Sequence, residues 1–116
     1  MPHLFDDFCR VVKLEDAITK VTYTLSLSTV AANADVSGNI GPKTLSGYTP
    51  LGIIGIKTEA KLNNAATSKL VVSSAELVTS GNSNFTIQLR YLNAGSTQLT
   101  NGKISVTVLF IKTVEA

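Results

Sequence analysis

The chain has 116 residues, of which 44% are hydrophobic and only 16% are charged, and its formal net charge is +2. This length fits one domain, and the charged fraction lies below the roughly 25% usual in soluble domains, so we expect another chain to cover part of the surface. The basic residues are scattered and no aromatic RNA-binding motif accompanies them, which argues against nucleic acid. No apolar run is long enough to span or insert into a membrane.

Residues 1–19 differ in character from the rest and are predicted to form an amino-terminal arm. Their apolar residues are Leu4, Phe5, Phe8, Val11, Val12, Leu14 and Ile18. The spacing fits a short helix and an extended arm equally well. We expect the arm to attach to this domain or to a neighbouring chain through Leu4, Phe5 and Phe8. It does not have the pattern of a secretory signal, and Cys9, the single cysteine, leaves no internal disulfide, which fits a reducing cytoplasm.

Residues 20–116 have the period of two that is typical of β-strands. The predicted strands are residues 21–27, 36–40, 47–56, 69–78, 85–91 and 104–111. Turn-rich loops separate them and no helix is long enough for a parallel crossover, so we predict an all-β antiparallel sandwich of jelly-roll type. The second strand is predicted to end at Gly41-Pro42. In the last strand, Leu109 and Ile111 make the second face apolar too, so we expect its end to be covered on both sides.

Residues 47–56 are the most distinctive stretch. Ile53, Ile54 and Ile56 favour extended backbone because β-branched side chains pack well on a pleated surface. Three glycines argue against a helix and indicate places where another backbone or a bulky side chain approaches closely. We predict that this stretch is a central strand and that residues 57–64 turn the chain.

Groups that could support catalysis or hold a metal ion are scarce. His3, the only histidine, lies near a terminus, and Cys9 is typical of a small apolar residue in the arm. The acidic pairs 6–7 and 15–16 lack the spacing of a calcium loop. No phosphate loop or dinucleotide fingerprint is present. The sequence predicts no enzyme, no catalytic residue, no metal site and no cofactor.

A binding role could use the tyrosines or the polar loops. Tyr23 and Tyr91 fall on the buried face by alternation. Tyr48 lies in a turn and is the better candidate for ligand binding, with packing against the sheet edge as the alternative. The Asn/Ser/Thr-rich loops 80–84 and 93–101 could hydrogen-bond a glycan or serve as ordinary connections.

The segment Leu45-Ser-Gly-Tyr-Thr-Pro-Leu-Gly-Ile-Ile-Gly-Ile56 resembles a segment of small β-domains in tailed phages and prophages of Gram-positive and gut bacteria. The matching segments are residues 21–27, 46–56, 85–93 and 104–112. The resemblance therefore spans about residues 20–112. It departs from the family pattern at Phe110, where a tyrosine is expected, and in the arm, which has no place in the pattern.

The resemblance implies a non-enzymatic virion protein, made in the cytoplasm of the bacterial host. Such domains belong to tail fibres, receptor-binding proteins or baseplates, are typically homotrimers, and contact host surface glycans and other virion proteins. The resemblance transfers no binding residue. The short chain has no stalk, coiled coil or collagen-like segment, which favours an alternative: a capsid decoration or head-fibre protein anchored through the arm. A non-viral carbohydrate-binding module is a third interpretation.

Overall fold

A computed structural model describes residues 17–81 and 83–113 of the chain. Its strands are β1 (Ile18–Val30), β2 (Asp35–Thr44), β3 (Tyr48–Leu62), β4 (Ala65–Ala66), β5 (Leu70–Ser80), β6 (Asn84–Asn93) and β7 (Leu99–Lys112). Within these two ranges there is no helix, and hence none that could cross a membrane. The predicted attachment residues Leu4, Phe5 and Phe8 lie outside the described residues.

The strands form two antiparallel sheets. The first sheet has the order β1-β7-β3-β4 and the second has the order β2-β6-β5. One hydrophobic core draws buried side chains from both sheets, so the arrangement is that of a β-sandwich. The predicted all-β antiparallel fold is confirmed, and each of the six predicted strands is present.

The core is built mainly by β6 and β7, the middle strands of the two sheets. Their inward residues are Phe85, Ile87, Leu89 and Tyr91 on β6, and Ile104, Val106, Val108 and Phe110 on β7. The ring of Phe85 packs edge-on against Phe110 and against Tyr23, with centroids 5.5 Å apart in both pairs. Alternation in the sequence thus places these side chains correctly, including the two tyrosines predicted to be in the core.

The prediction that residues 47–56 form a central strand is wrong. One edge of β3 pairs with β7, but the other pairs only near its end, through Lys61 and Leu62 with the short β4 and through the Ala60 carbonyl oxygen, which accepts from the Thr67 N–H. From Tyr48 to Glu59, β3 is therefore an edge strand within the described chain. The edge position explains why proline is tolerated at residue 50, because proline has no N–H to donate to a second neighbouring strand.

Residues 57–64 do not turn the chain as a unit, since β3 continues to Leu62. The charged side chains of Lys57 and Glu59 lie 3.3 Å apart on the exposed side of the strand. The turn itself consists of Asn63 and Asn64, whose φ angles are 50° and 67°. A two-residue hairpin with positive φ at both positions is a type I′ turn, which asparagine adopts readily.

The second strand also extends beyond its predicted end at Gly41-Pro42. β2 reaches Thr44, and its pairing with β6 shifts register between Ile40 and Lys43. The Gly41–Pro42 peptide bond is cis. Because β2 is an edge strand, the irregularity interrupts pairing on one side only, and the strand resumes after it.

Candidate functional site

Between Tyr48 and Glu59, the pairing of β3 with β7 leaves two residues of β3 without partners in β7. These residues are Leu51 and Ile54. Each is an extra residue on β3 opposite a continuous partner strand, which is the geometry of a β-bulge. Bulges bend the strand locally and redirect side chains, so the alternation of inward and outward positions fails in this part of β3.

The bulges bring large aliphatic side chains to the surface. Leu51 and Ile54 are each 54% exposed and Ile56 is 43% exposed. We name these three residues the β3 strip. Ile53 lies between the two bulge residues and packs against the core, which none of the strip residues does. Ile56 lies opposite the buried Val106 and therefore faces the inner side of the sheet. The strip is thus a run of exposed aliphatic residues along one edge strand and not a single face.

The glycines near the strip do not accommodate a close neighbour, contrary to the prediction. A Cβ atom added at Gly52 or Gly47 would meet nothing within 4 Å, and one at Gly55 would make only ordinary contact with Thr107. Gly47 instead has a φ of 81°, the left-handed conformation that glycine adopts without strain. The space beside Gly52 is therefore open in the described chain.

The outer face of the first sheet is apolar at the end where β1 begins. Ile18 pairs with Ile111 and is 43% exposed, while Leu109 and Ile111 are half-buried. Farther along the same face, the hydroxyl groups of Thr22 and Thr107 are 2.9 Å apart. The face thus changes from aliphatic to hydroxyl-bearing residues, and the covering of its apolar end stays a prediction.

Tyr48 lies at the start of β3, opposite Lys112. Its side chain is half-buried and packs against the core, and its backbone N–H donates to the Leu45 carbonyl oxygen at 3.1 Å. This placement supports packing at the sheet edge, the alternative that the sequence left open. A ligand-binding role for Tyr48 stays a prediction.

The outer face of the second sheet carries a polar groove of about 200 Å³. We name it the sheet-two groove, and its polar lining residues are Ser37, Asn39, Ser74, Glu76, Gln88 and Arg90. Arg90 donates from Nε to Oδ1 of Asp35 at 3.0 Å, which orients the guanidinium group. Hydroxyl, amide, carboxylate and guanidinium groups together provide both donors and acceptors, the combination that a polyhydroxylated ligand requires.

Sequence reasoning did not find the sheet-two groove. Each of its residues occupies an outward position on β2, β5 or β6, and outward polar residues are ordinary in a sheet. Only the strand order β2-β6-β5 brings the outward residues of these three strands together, and the strand order cannot be read from local sequence patterns.

The loop after β6, predicted to be able to hydrogen-bond a glycan, uses its first residue internally. Asn93 is fully buried. Its Nδ2 donates to the backbone carbonyl oxygens of Val30, Ala31 and Thr97 at 3.2, 3.2 and 2.7 Å. Its Oδ1 accepts from the Gly95 N–H at 2.9 Å. Asn93 therefore holds the loop after β1 against the loop after β6 and is not available to a ligand.

Metal-ligating groups do not cluster on the described surfaces. No group of three His, Cys, Asp or Glu residues in the described ranges could hold a metal ion, and His3 and Cys9 lie outside those ranges. Burial raises the pKa of Tyr23, whose half-buried ring packs against the core.

Comparisons with protein-family models, curated proteins and solved structures find no match to this chain. Function is therefore inferred from the sequence resemblance and the two surfaces.

Proposed function

We propose that this chain is a non-enzymatic virion protein of a tailed phage, a tail- or baseplate-associated β-domain that adsorbs to host surface glycans. The observation that supports this most is the separation of two unlike surfaces on one small sandwich. The β3 strip lies on the first sheet and suits contact with protein, whereas the sheet-two groove lies on the second sheet and suits a hydrated ligand. The Leu45–Ile56 segment, which carries the resemblance, is also the segment that contains the strip.

A jelly-roll topology is part of the proposal. Consecutive strands from β1 to β3 alternate between the two sheets, and β6 and β7 alternate again. The orders β1-β7-β3 and β2-β6-β5 support a jelly roll with six long strands, where the complete form has eight.

The proposed particle component is a homo-oligomer, with a trimer favoured by the resemblance alone. We assign residues 20–116 to its β-domain, whose first strand begins two residues earlier, at Ile18, and the arm that precedes this strand binds other virion proteins. The protein is made in the host cytoplasm and functions on the virion. It takes no cofactor, because adsorption requires only non-covalent contacts.

The glycan role is tested by adsorption of the purified chain to host cells and to isolated cell-surface glycans. Arg90→Ala removes the groove's guanidinium group, and we expect it to lower adsorption at least about fivefold, since truncating an important charged contact costs more than about 1 kcal/mol. Thr24→Ala, on the outer face of the first sheet, is the matched control and is expected to adsorb like wild type. Equal adsorption by wild type and Arg90→Ala would reject the groove as the glycan site.

The alternative function is a capsid decoration or head-fibre protein anchored through its arm. The apolar residues within 1–19 favour it, because apolar side chains on an arm need a surface to bury them. Deleting residues 1–12 is expected to leave the sandwich folded and to abolish incorporation into particles. Fractionation of heads and tails then separates the two functions, because a decoration protein copurifies with heads. Normal incorporation of the truncated chain would reject anchoring through the arm.

A further inference from the structure

The outer face of the first sheet is apolar at the point where the arm joins the sandwich. Ile18 on β1 pairs with Ile111 on β7, and both point outward together with Leu109. We name these three residues the apolar end. Ile18 is 43% exposed and the other two are half-buried, although β7 has a neighbouring strand on each side. Gly52, opposite Leu109 on β3, has no side chain to lie over it.

The chain enters β1 directly beside the apolar end. The carbonyl oxygen of Ala17 accepts from the Lys112 N–H at 2.7 Å, which holds Ala17 against the end of β7. Ala17 lies in a turn, so the direction of β1 is not kept at this point. Residues 1–16 are thus tethered to the sandwich next to Ile18.

Residues 1–16 are long enough to cover the apolar end and have the side chains to do so. The apolar end extends over two residues of β7, or about 7 Å. Three extended residues span about 10 Å, so even Leu14, three positions before Ala17, reaches it. Apolar side chains gain free energy when they leave water. Those that precede Ala17 in the arm are Leu4, Phe5, Phe8, Val11, Val12 and Leu14.

The charges of the two parts of the chain are complementary. Residues 1–16 contain four acidic and two basic residues, whereas residues 17–116 contain four acidic and eight basic ones. Among the described strands, those of the first sheet carry five basic residues and one acidic residue, and those of the second carry two of each. Lys20 lies opposite Leu109, at the border of the apolar end. Complementary charge therefore favours the first sheet, and not the second, as the surface for the arm.

We infer that, in the isolated chain, residues 1–16 dock on the apolar end of their own first sheet. The occupant is the chain's own arm because a short tether gives it an effective concentration in the millimolar range. A second sandwich in its place would bring together two surfaces of the same positive sign, which repel. The inference names the cover that the sequence predicts for the second face of β7, and it does not depend on the virion role.

Docking on the sheet controls when the arm is available to other proteins. A side chain buried on the apolar end cannot be buried in a second protein at the same time. Binding of the arm to another virion protein, as proposed above, therefore has to displace the arm from the sheet. The free energy of docking is lost in that exchange, so a docked arm binds the particle more weakly than an undocked arm.

The test uses Cys9, the only cysteine of the chain, as the attachment point for a nitroxide spin label. The label broadens the amide signals of nearby residues in nuclear magnetic resonance spectra of the isotope-labelled chain. We expect the strongest broadening at Ile18, Leu109 and Ile111, and little at β5 on the second sheet. A mixed sample, with spin label and isotope on different copies, is expected to show no such broadening, because the arm docks on its own sheet.

A triple variant separates docking from the effect of the tether alone. Leu4→Ser, Phe5→Ser, Phe8→Ser keeps the arm attached and the sandwich unchanged, and we expect it to lower the ratio of docked to undocked chain at least about tenfold. Leu109→Thr should weaken the same broadening from the side of the sheet, while keeping a residue that favours strands. Val71→Thr is the matched control, since Val71 is an exposed aliphatic residue on the second sheet.

The unbroadened signals of the same spectra show whether each variant is folded. Equal broadening in wild type and a folded triple variant would reveal only the tether and would overturn the inference. Broadening in the mixed sample as strong as within one chain would assign the arm to a second copy and overturn it as well. So would a loss of broadening in Val71→Thr but not in Leu109→Thr, which would place the arm on the second sheet. A chain that enters particles although its arm does not dock rejects only this inference, and not the proposed function.

Discussion

Among the polar residues that the structure describes, Asn93 is the one whose replacement we expect to destabilise the fold most. Alanine at this position removes the donor to three backbone carbonyl oxygens and the acceptor for the Gly95 N–H. No side chain replaces these contacts, and the site is fully buried. The loop after β1 and the loop after β6 would then lose the side chain that joins them.

The magnitude follows from the number of groups left unpaired. A buried polar group without a partner costs about 1–3 kcal/mol, and part of this cost is relieved where the loops can admit water. We expect Asn93→Ala to lower the free energy of unfolding by about 2–4 kcal/mol. For a domain of this size, that corresponds to a melting temperature lower by roughly 10–25 °C.

Urea denaturation followed by circular dichroism measures this loss directly. Asn39→Ala is the control, because Asn39 is exposed on β2 and surface substitutions usually change stability by less than about 0.5 kcal/mol. Asn93→Asp keeps an acceptor for Gly95 but places a carboxylate against carbonyl oxygens, so it should destabilise at least as much as alanine. A stability of Asn93→Ala within about 0.5 kcal/mol of wild type would refute the reasoning.

Two further predictions concern a glycine pair and a tyrosine. Gly102→Ala should lower the free energy of unfolding by about 1–3 kcal/mol in urea denaturation, because its added Cβ would lie 3.1 Å from Cβ of Leu27. Gly52→Ala should leave the free energy of unfolding unchanged or slightly raised, because its Cβ meets nothing within 4 Å. Equal losses in the two variants would contradict this contrast. Burial raises the pKa of Tyr23 above 10.0, so its contribution to stability is complete below about pH 10 and is lost as the pH rises through the raised pKa. Tyr23→Phe should therefore reduce the alkaline loss of stability seen in pH-dependent thermal melts, and an unchanged alkaline profile in Tyr23→Phe would count against the assignment.

The fold was predictable from sequence wherever one face of a strand is buried. In β7, Ile104, Val106, Val108 and Phe110 alternate with less buried residues, and this period alone identifies both the strand and its inward face. The same reasoning places β6 and the core tyrosines correctly.

The edge position of β3 was not predictable in this way. A run of isoleucines normally indicates burial, but Ile54 and Leu51 occupy bulges, and a bulge is visible only once the partner strand and its register are known. The turn predicted over residues 57–64 is confined to Asn63 and Asn64, since Lys57 and Glu59 belong to the strand and alternate with more buried residues.

Long-range geometry decides the remaining features. The sheet-two groove needs β2 beside β6, and the role of Asn93 needs the loop after β1 beside the loop after β6. Neither proximity is a property of a local sequence pattern. The proposed function accordingly rests on the resemblance of the Leu45–Ile56 segment, while the structure supplies the surfaces on which the proposal can be tested.

The most direct test of the proposed virion role is mass spectrometry of purified phage particles from the bacterium or phage that encodes this chain. We predict that the chain is present in intact particles and remains with the tail fraction after heads and tails are separated. Recovery with heads would instead support the decoration alternative. Absence of the chain from particles that contain the other structural proteins would contradict the proposed virion role.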